Sequence, residues 1–80
     1  MKFGVRILPK KGFLDPQGRA VEALLKEQHK TLNTVHVGKW IEVQVNEKDA
    51  VKAFKAVEQM AMEVLANPMT ESFEVEKLES

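Results

Sequence analysis

Eighty residues make one domain, 1–80, with a modest core. A chain this short buries only about 60–65% of its unfolded surface, so self-association or docking onto a larger protein is the expected source of added stability. Twelve basic and twelve acidic residues cancel, which argues against a dedicated nucleic-acid binder, and the absence of cysteine excludes a disulfide framework or thiolate metal site. No apolar run approaches the ~20 residues of a membrane span, and Met1–Arg6 does not read as a signal peptide, so a cytoplasmic protein is expected.

Phe3, Val5 and Ile7 alternate with Lys2, Gly4 and Arg6, which predicts a first strand over residues 2–8, ended by Pro9. The following Lys10 and Lys11 read as solvated loop charge, or more sharply as an anion contact, ahead of the apolar pair Phe13-Leu14. Asp15-Pro16 is a helix start, aspartate as N-cap and proline at the first helical position. Ala20, Val21, Leu24, Leu25 and Gln28 then predict one buried stripe, with Arg19, Glu22, Lys26 and Glu27 on the solvent side and Glu22→Lys26 in the favourable order. Gly18 in the first turn costs about 1 kcal/mol against alanine, which points to another backbone or a ligand coming close there. The helix is expected to stop near His29 or Lys30.

The stretch 34–45 is dense in β-branched residues and looks like the centre of the fold. Val35, Val37, Ile41, Val43 and Val45 share one face, while His36, Trp40, Glu42 and Gln44 share the other. A two-residue turn at Gly38-Lys39 would bury Glu42 and expose the valines, because a one-residue slip flips every side chain. The stretch therefore reads as one long strand bent at Gly38, or as two strands joined through an odd loop with a bulge. Its edge is longer than so small a domain covers by itself, the first sign of a partner.

Asn46, with Asp49 three residues on, imitates a capping box for a second helix. Val51, Phe54, Val57, Ala61, Val64 and Leu65 form its expected stripe, widened by Met60 and Met62, and Ala66-Asn67-Pro68 stops it. Phe73 and Val75 alternate with Glu74 and Glu76 as a last strand. The predicted fold is α+β, two helices packed on one face of a largely antiparallel sheet, in the order β-α-β (long and bent at Gly38, or β-β)-α-β.

Catalytic chemistry is not legible. The only serines, Ser72 and Ser80, lie outside any nucleophile motif. Gly38-Lys39 fails as a phosphate-binding loop because Trp40 stands where Ser or Thr is needed and Asn33 replaces the first glycine. His36 has no second histidine at a ligand spacing, so no metal site is expected.

Three separated motifs carry a resemblance. Gly12 to Val21, Val35-His36-Val37-Gly38-Lys39-Trp40-Ile41-Glu42 and Leu65-Ala66-Asn67-Pro68 resemble, in register, the signature segments of the PurS family over roughly Phe3 to Lys77. That resemblance implies the small subunit of phosphoribosylformylglycinamidine synthase, the fourth step of de novo purine synthesis, in which formylglycinamide ribonucleotide becomes its amidine using ATP and the amide of glutamine. It implies no catalytic residue and no cofactor on this chain, with ATP and Mg on a large synthetase subunit. The implied partners are that subunit, a glutaminase subunit, and further copies of the chain as a dimer or tetramer, with no nucleic acid and no membrane.

Joining the two enzymes, with help in ammonia transfer, is the implied role. Phe13, Asp15, Pro16, Gln17, Gly18, Arg19, Gly38, Lys39 and Trp40 are the expected contact residues. Two positions depart from the family: His36 stands where arginine is frequent, and the link from Glu27 to Thr34 lacks a glycine. The competing reading is a stand-alone ACT-like domain that binds a small metabolite between paired sheets.

Overall fold

In the computed structural model, which describes residues 1–11 and 15–79, three strands make one antiparallel sheet in the order β2-β1-β3. The elements are β1 (Lys2–Pro9), α1 (Pro16–Lys26), β2 (Lys39–Gln44), α2 (Ala50–Met60) continuing into a π-helical turn (Ala61–Leu65), and β3 (Glu71–Glu79). The α+β class and the element order follow the sequence pattern, but the stretch 34–45 is neither one long strand bent at Gly38 nor two strands: β2 is six residues long and begins at Lys39, after the bend.

The centre of the sheet is β1, which corrects the expectation that 34–45 holds that place. Its Phe3, Val5 and Ile7 are fully buried because β1 alone is bonded on both edges. Cross-strand registers of Val5 with Ile41 and Val75, and of Ile7 with Phe73, put the apolar residues of all three strands on one face. Onto that face α2 lays Ala53, Val57 and Ala61, with Phe54 meeting Phe3 edge-on at 6.2 Å between ring centroids. Each fully buried Phe, Val or Ile side chain contributes about 1.5–3 kcal/mol, so this layer holds most of the stability.

The stripe of α2 differs from its predicted one. Ala53, Val57 and Ala61 are spaced by four and bring the helix axis close to the sheet, whereas Val51 (62% exposed) and Val64 (79%) lie off the contact. The π turn, closed by Ala66 N–H donating to the Ala61 carbonyl at 2.8 Å, returns Leu65 and Ala66 to the core and leaves Val64 outside. The cap is Asp49, not Asn46: its Oδ1 accepts from the amides of Val51 and Lys52. Asn67 instead turns the chain past the helix, its Oδ1 accepting from the Met69 amide at 3.0 Å.

Only Gly18 of α1 is buried. Leu24 is 68% exposed, and Val21 and Leu25 are also exposed, so the stripe expected to be covered is open in the single chain. The helix also stops earlier than the pattern implies, at Lys26, after which the Gln28 and His29 amides both donate to the Leu25 carbonyl. The chain is flat and long, 49 × 26 × 13 Å, with a radius of gyration of 15.7 Å. A compact domain of this length has about 12 Å.

Candidate functional site

Asp15 organises the junction between α1 and the stretch before β2. As N-cap it accepts the Gly18 amide on Oδ1 at 3.0 Å, and its other oxygen takes the Val37 amide at 3.1 Å and faces His36 Nδ1 at 3.4 Å. Its side chain is 7% exposed. The Gly18 amide, then the Val37 amide and His36, hold its pKa below the ordinary 3.8, against the opposing pull of burial.

Two turns along, Glu22 repeats the device. Its Oε1 accepts the Val35 amide at 2.9 Å, and its Oε2 meets Lys26 at 3.3 Å and Arg19 at 3.5 Å. The Val35 amide first, and the Lys26 ammonium after it, lower its pKa below the ordinary 4.5. Two carboxylates on one helix thus grip two alternate amides of an extended segment. Gly18 makes room, since a Cβ there would meet the Asp15 carboxylate and the Val35 carbonyl, the latter at 2.6 Å.

Past this segment Gly38 presses on the end of β1, where a Cβ would strike the Ile7 carbonyl and sit 2.7 Å from Leu8 Cδ2. The ladder begins at the next residue, so the bend at Gly38 separates a helix-bound half, 35–37, from the sheet-bound half, 39–44. A cleft of about 280 Å³ opens between the halves, lined by Pro16, Gln17, Val37, Gly38, Lys39 and Glu71 among others. Lys39 Nζ lies 3.8 Å from Glu71 across it. The cleft offers paired charges and amides for contact.

Asp15, Pro16, Gln17, Gly38 and Lys39, expected contact residues from two separate motifs, therefore line one cleft. Trp40 lies apart. Its ring rests over Gly4 on the outer face of the sheet, where a glycine Cβ would collide with it, and Arg6 Cζ stands 6.0 Å from the ring centroid. Arg19 pairs with Glu22 on the helix surface. Phe13 falls outside the described residues. Lys10 donates to the Pro68 carbonyl at 2.6 Å, and Lys11 is exposed. Among the described residues no three His, Cys, Asp or Glu side chains gather as a metal site, and no helix is long and apolar enough to cross a membrane.

The sequence model of the PurS family, described as phosphoribosylformylglycinamidine (FGAM) synthase, matches residues 2–79. The chain belongs to the PurS family. A curated PurS subunit of phosphoribosylformylglycinamidine synthase from Thermotoga maritima is 30% identical over 78 residues, covering 96% of this chain and 95% of that one. The solved PurS of Methanocaldococcus jannaschii superposes with a TM-score of 0.78 at 36% identity, over 98% of each chain. A PurS-like match also comes from the structure called PurLQS from Thermotoga maritima, at a TM-score of 0.85 and 32% identity, over 96% of this chain and 95% of that one. The ACT-like alternative finds no support in these comparisons. The PurS chain described here is accordingly a subunit of FGAM synthase, a glutamine-dependent, ATP-using ligase.

Glu22 and His36 are the site residues that sequence reasoning missed. Glu22 looks like an ordinary solvent-side partner of Lys26, and nothing in the helix pattern shows that an amide 13 residues away needs its second oxygen. His36 stands beside the Asp15 cap only because α1 folds back along 35–37.

Proposed function

We propose that this chain acts by contact: it brings the glutaminase and large synthetase subunits of FGAM synthase together and assists passage of ammonia between them. The observation that carries this reading is the cleft between α1 and β2, where Asp15, Pro16, Gln17, Gly38 and Lys39 converge from two motifs. Each charged group there is already paired within the chain, so the surface is shaped for docking. The similar chain in the PurLQS structure from Thermotoga maritima supports the same reading. ATP and Mg act on the large subunit, in the cytoplasm, and further copies of this chain take part as a dimer or tetramer.

Reconstitution tests the reading. Glutamine-dependent FGAM formation by the large and glutaminase subunits is measured with and without this chain. Activity that depends on it, and falls with the Gln17→Ala/Lys39→Ala double variant, is the expected result. Equal activity and equal complex mass in its absence overturn the reading.

A further inference from the structure

We infer that the helix-free face of the sheet holds a docking site for an arginine side chain carried by another subunit of FGAM synthase, with the Trp40 ring as its floor and Glu42 and Glu76 as its walls. This rests on the contact role proposed above and gives it a second surface, on the side of the sheet away from α2.

The strand register builds the site. Trp40 and Glu74 both face Arg6 across their strands, and Glu42 and Glu76 both face Gly4. All six positions therefore share the face turned away from the buried Phe3, Val5 and Ile7. In the first row a cation is present: Arg6 Cζ stands 6.0 Å from the Trp40 ring centroid and its Nη1 lies 4.0 Å from Glu74, a loose hold on each. In the second row the middle position is a glycine, and the Trp40 ring lies over it. Two carboxylates thus flank an indole with no cation between them. Among the described residues no basic side chain forms an ion pair with Glu42 or Glu76, and Lys2 on the same face is already engaged.

The occupant follows from charge and shape. Three glutamates against one arginine leave this patch two negative charges in excess, in a chain whose net charge is zero. Two strand spacings, about 9–10 Å, separate the walls, the span of a guanidinium that donates to a carboxylate on either side. Its plane also stacks on the indole, which an ammonium cannot do. Shielding Gly4 occupies only one face of the ring; Trp40 is still 47% exposed, so the other face is open. A cleft of about 290 Å³ beside the ring, lined by Arg6, Glu74, Val75 and Glu76, admits the stem of the incoming side chain. A second copy of this chain fits badly, since the same face brings three more glutamates while its Arg6 and Lys2 are engaged at home.

Fluorine NMR on the intact chain is the test. With 5-fluorotryptophan at Trp40, the single tryptophan, the chain gives one fluorine resonance, and adding the unlabelled large synthetase and glutaminase subunits is expected to shift it. Trp40→Leu weakens assembly of the complex roughly 5–30-fold in sedimentation, whereas Trp40→Phe, which keeps a π face, stays within about threefold of the parent. Glu76→Gln weakens it about tenfold, and added salt narrows that gap. A complex that forms with the resonance unmoved overturns the site and leaves the contact role standing. So do folded Trp40→Leu and Glu76→Gln chains that assemble like the parent, or a resonance that moves with the concentration of this chain alone, which gives the face to a second copy. If Trp40→Leu does not fold, the exposed Glu76→Gln carries the test. No complex at all in sedimentation sinks the contact role itself, and the site with it.

Discussion

Gly18 lacks a side chain where the Asp15 carboxylate and the Val35 carbonyl converge on a helix start. Helix propensity alone favours alanine there by about 1 kcal/mol, whereas overpacking costs about 1–3 kcal/mol. Packing wins in so tight a place, and Gly18→Ala is expected to lower the melting temperature by about 4–8 °C per kcal/mol lost, read by circular dichroism. Gly4 gives a second residue-scale test. A methyl at Gly4→Ala lifts the ring of Trp40, the single tryptophan, into water and shifts its emission to the red with little change in helix content.

Acid tests the two carboxylates. Because Asp15 and Glu22 have lowered folded pKa values, their hold on Val37 and Val35 is complete above the ordinary 3.8 and 4.5 and is lost as pH falls through the lower folded values. The Val35 and Val37 amides are expected to keep constant exchange protection from pH 5 to 8, after correction for intrinsic rates, and to lose it below about pH 4. The cap at Asp15 and the close approach at Gly18 and Gly38 were legible from residue type, since proline, aspartate and glycine report on local backbone. The grip of Glu22 was not legible, because its partner comes from another element.

At the scale of elements, strands were read more faithfully than helices. Alternation in β1 and β2 fixes which face is buried whatever covers it, so Phe3, Val5 and Ile7 stand where their pattern puts them. A helix stripe depends on the shape of its neighbour. In α2 the sheet selects the small Ala53 and Ala61 around Val57, and the larger Val51 and Val64 give way. Val57→Ala is therefore expected to cost about 1.5–3 kcal/mol in denaturant melts, against less than about 0.5 kcal/mol for Val64→Ala. Similar costs for the two would show that the stripe follows the sequence pattern after all.

For the whole molecule, thickness sets the terms. One helix lies on one face of three strands, in a body only 13 Å across its shortest dimension, while the apolar side of α1 stays in solvent. The melting temperature is expected to rise with protein concentration, because association stabilises the folded chain by mass action. A melt independent of concentration would mean that the single chain is sufficient. The composition had pointed the same way, since a net charge of zero and no cysteine leave burial against another protein as the remaining source of stability.

The two-point grip of α1 on residues 35–37 also makes that helix an arm. Asp15 and Glu22 hold the same short rod of backbone, and the rod runs into β2 through Gly38, which lies against the end of β1. Torque applied to the rod turns the helix with it, so a change of bend at Gly38 re-aims the exposed Leu24 of α1.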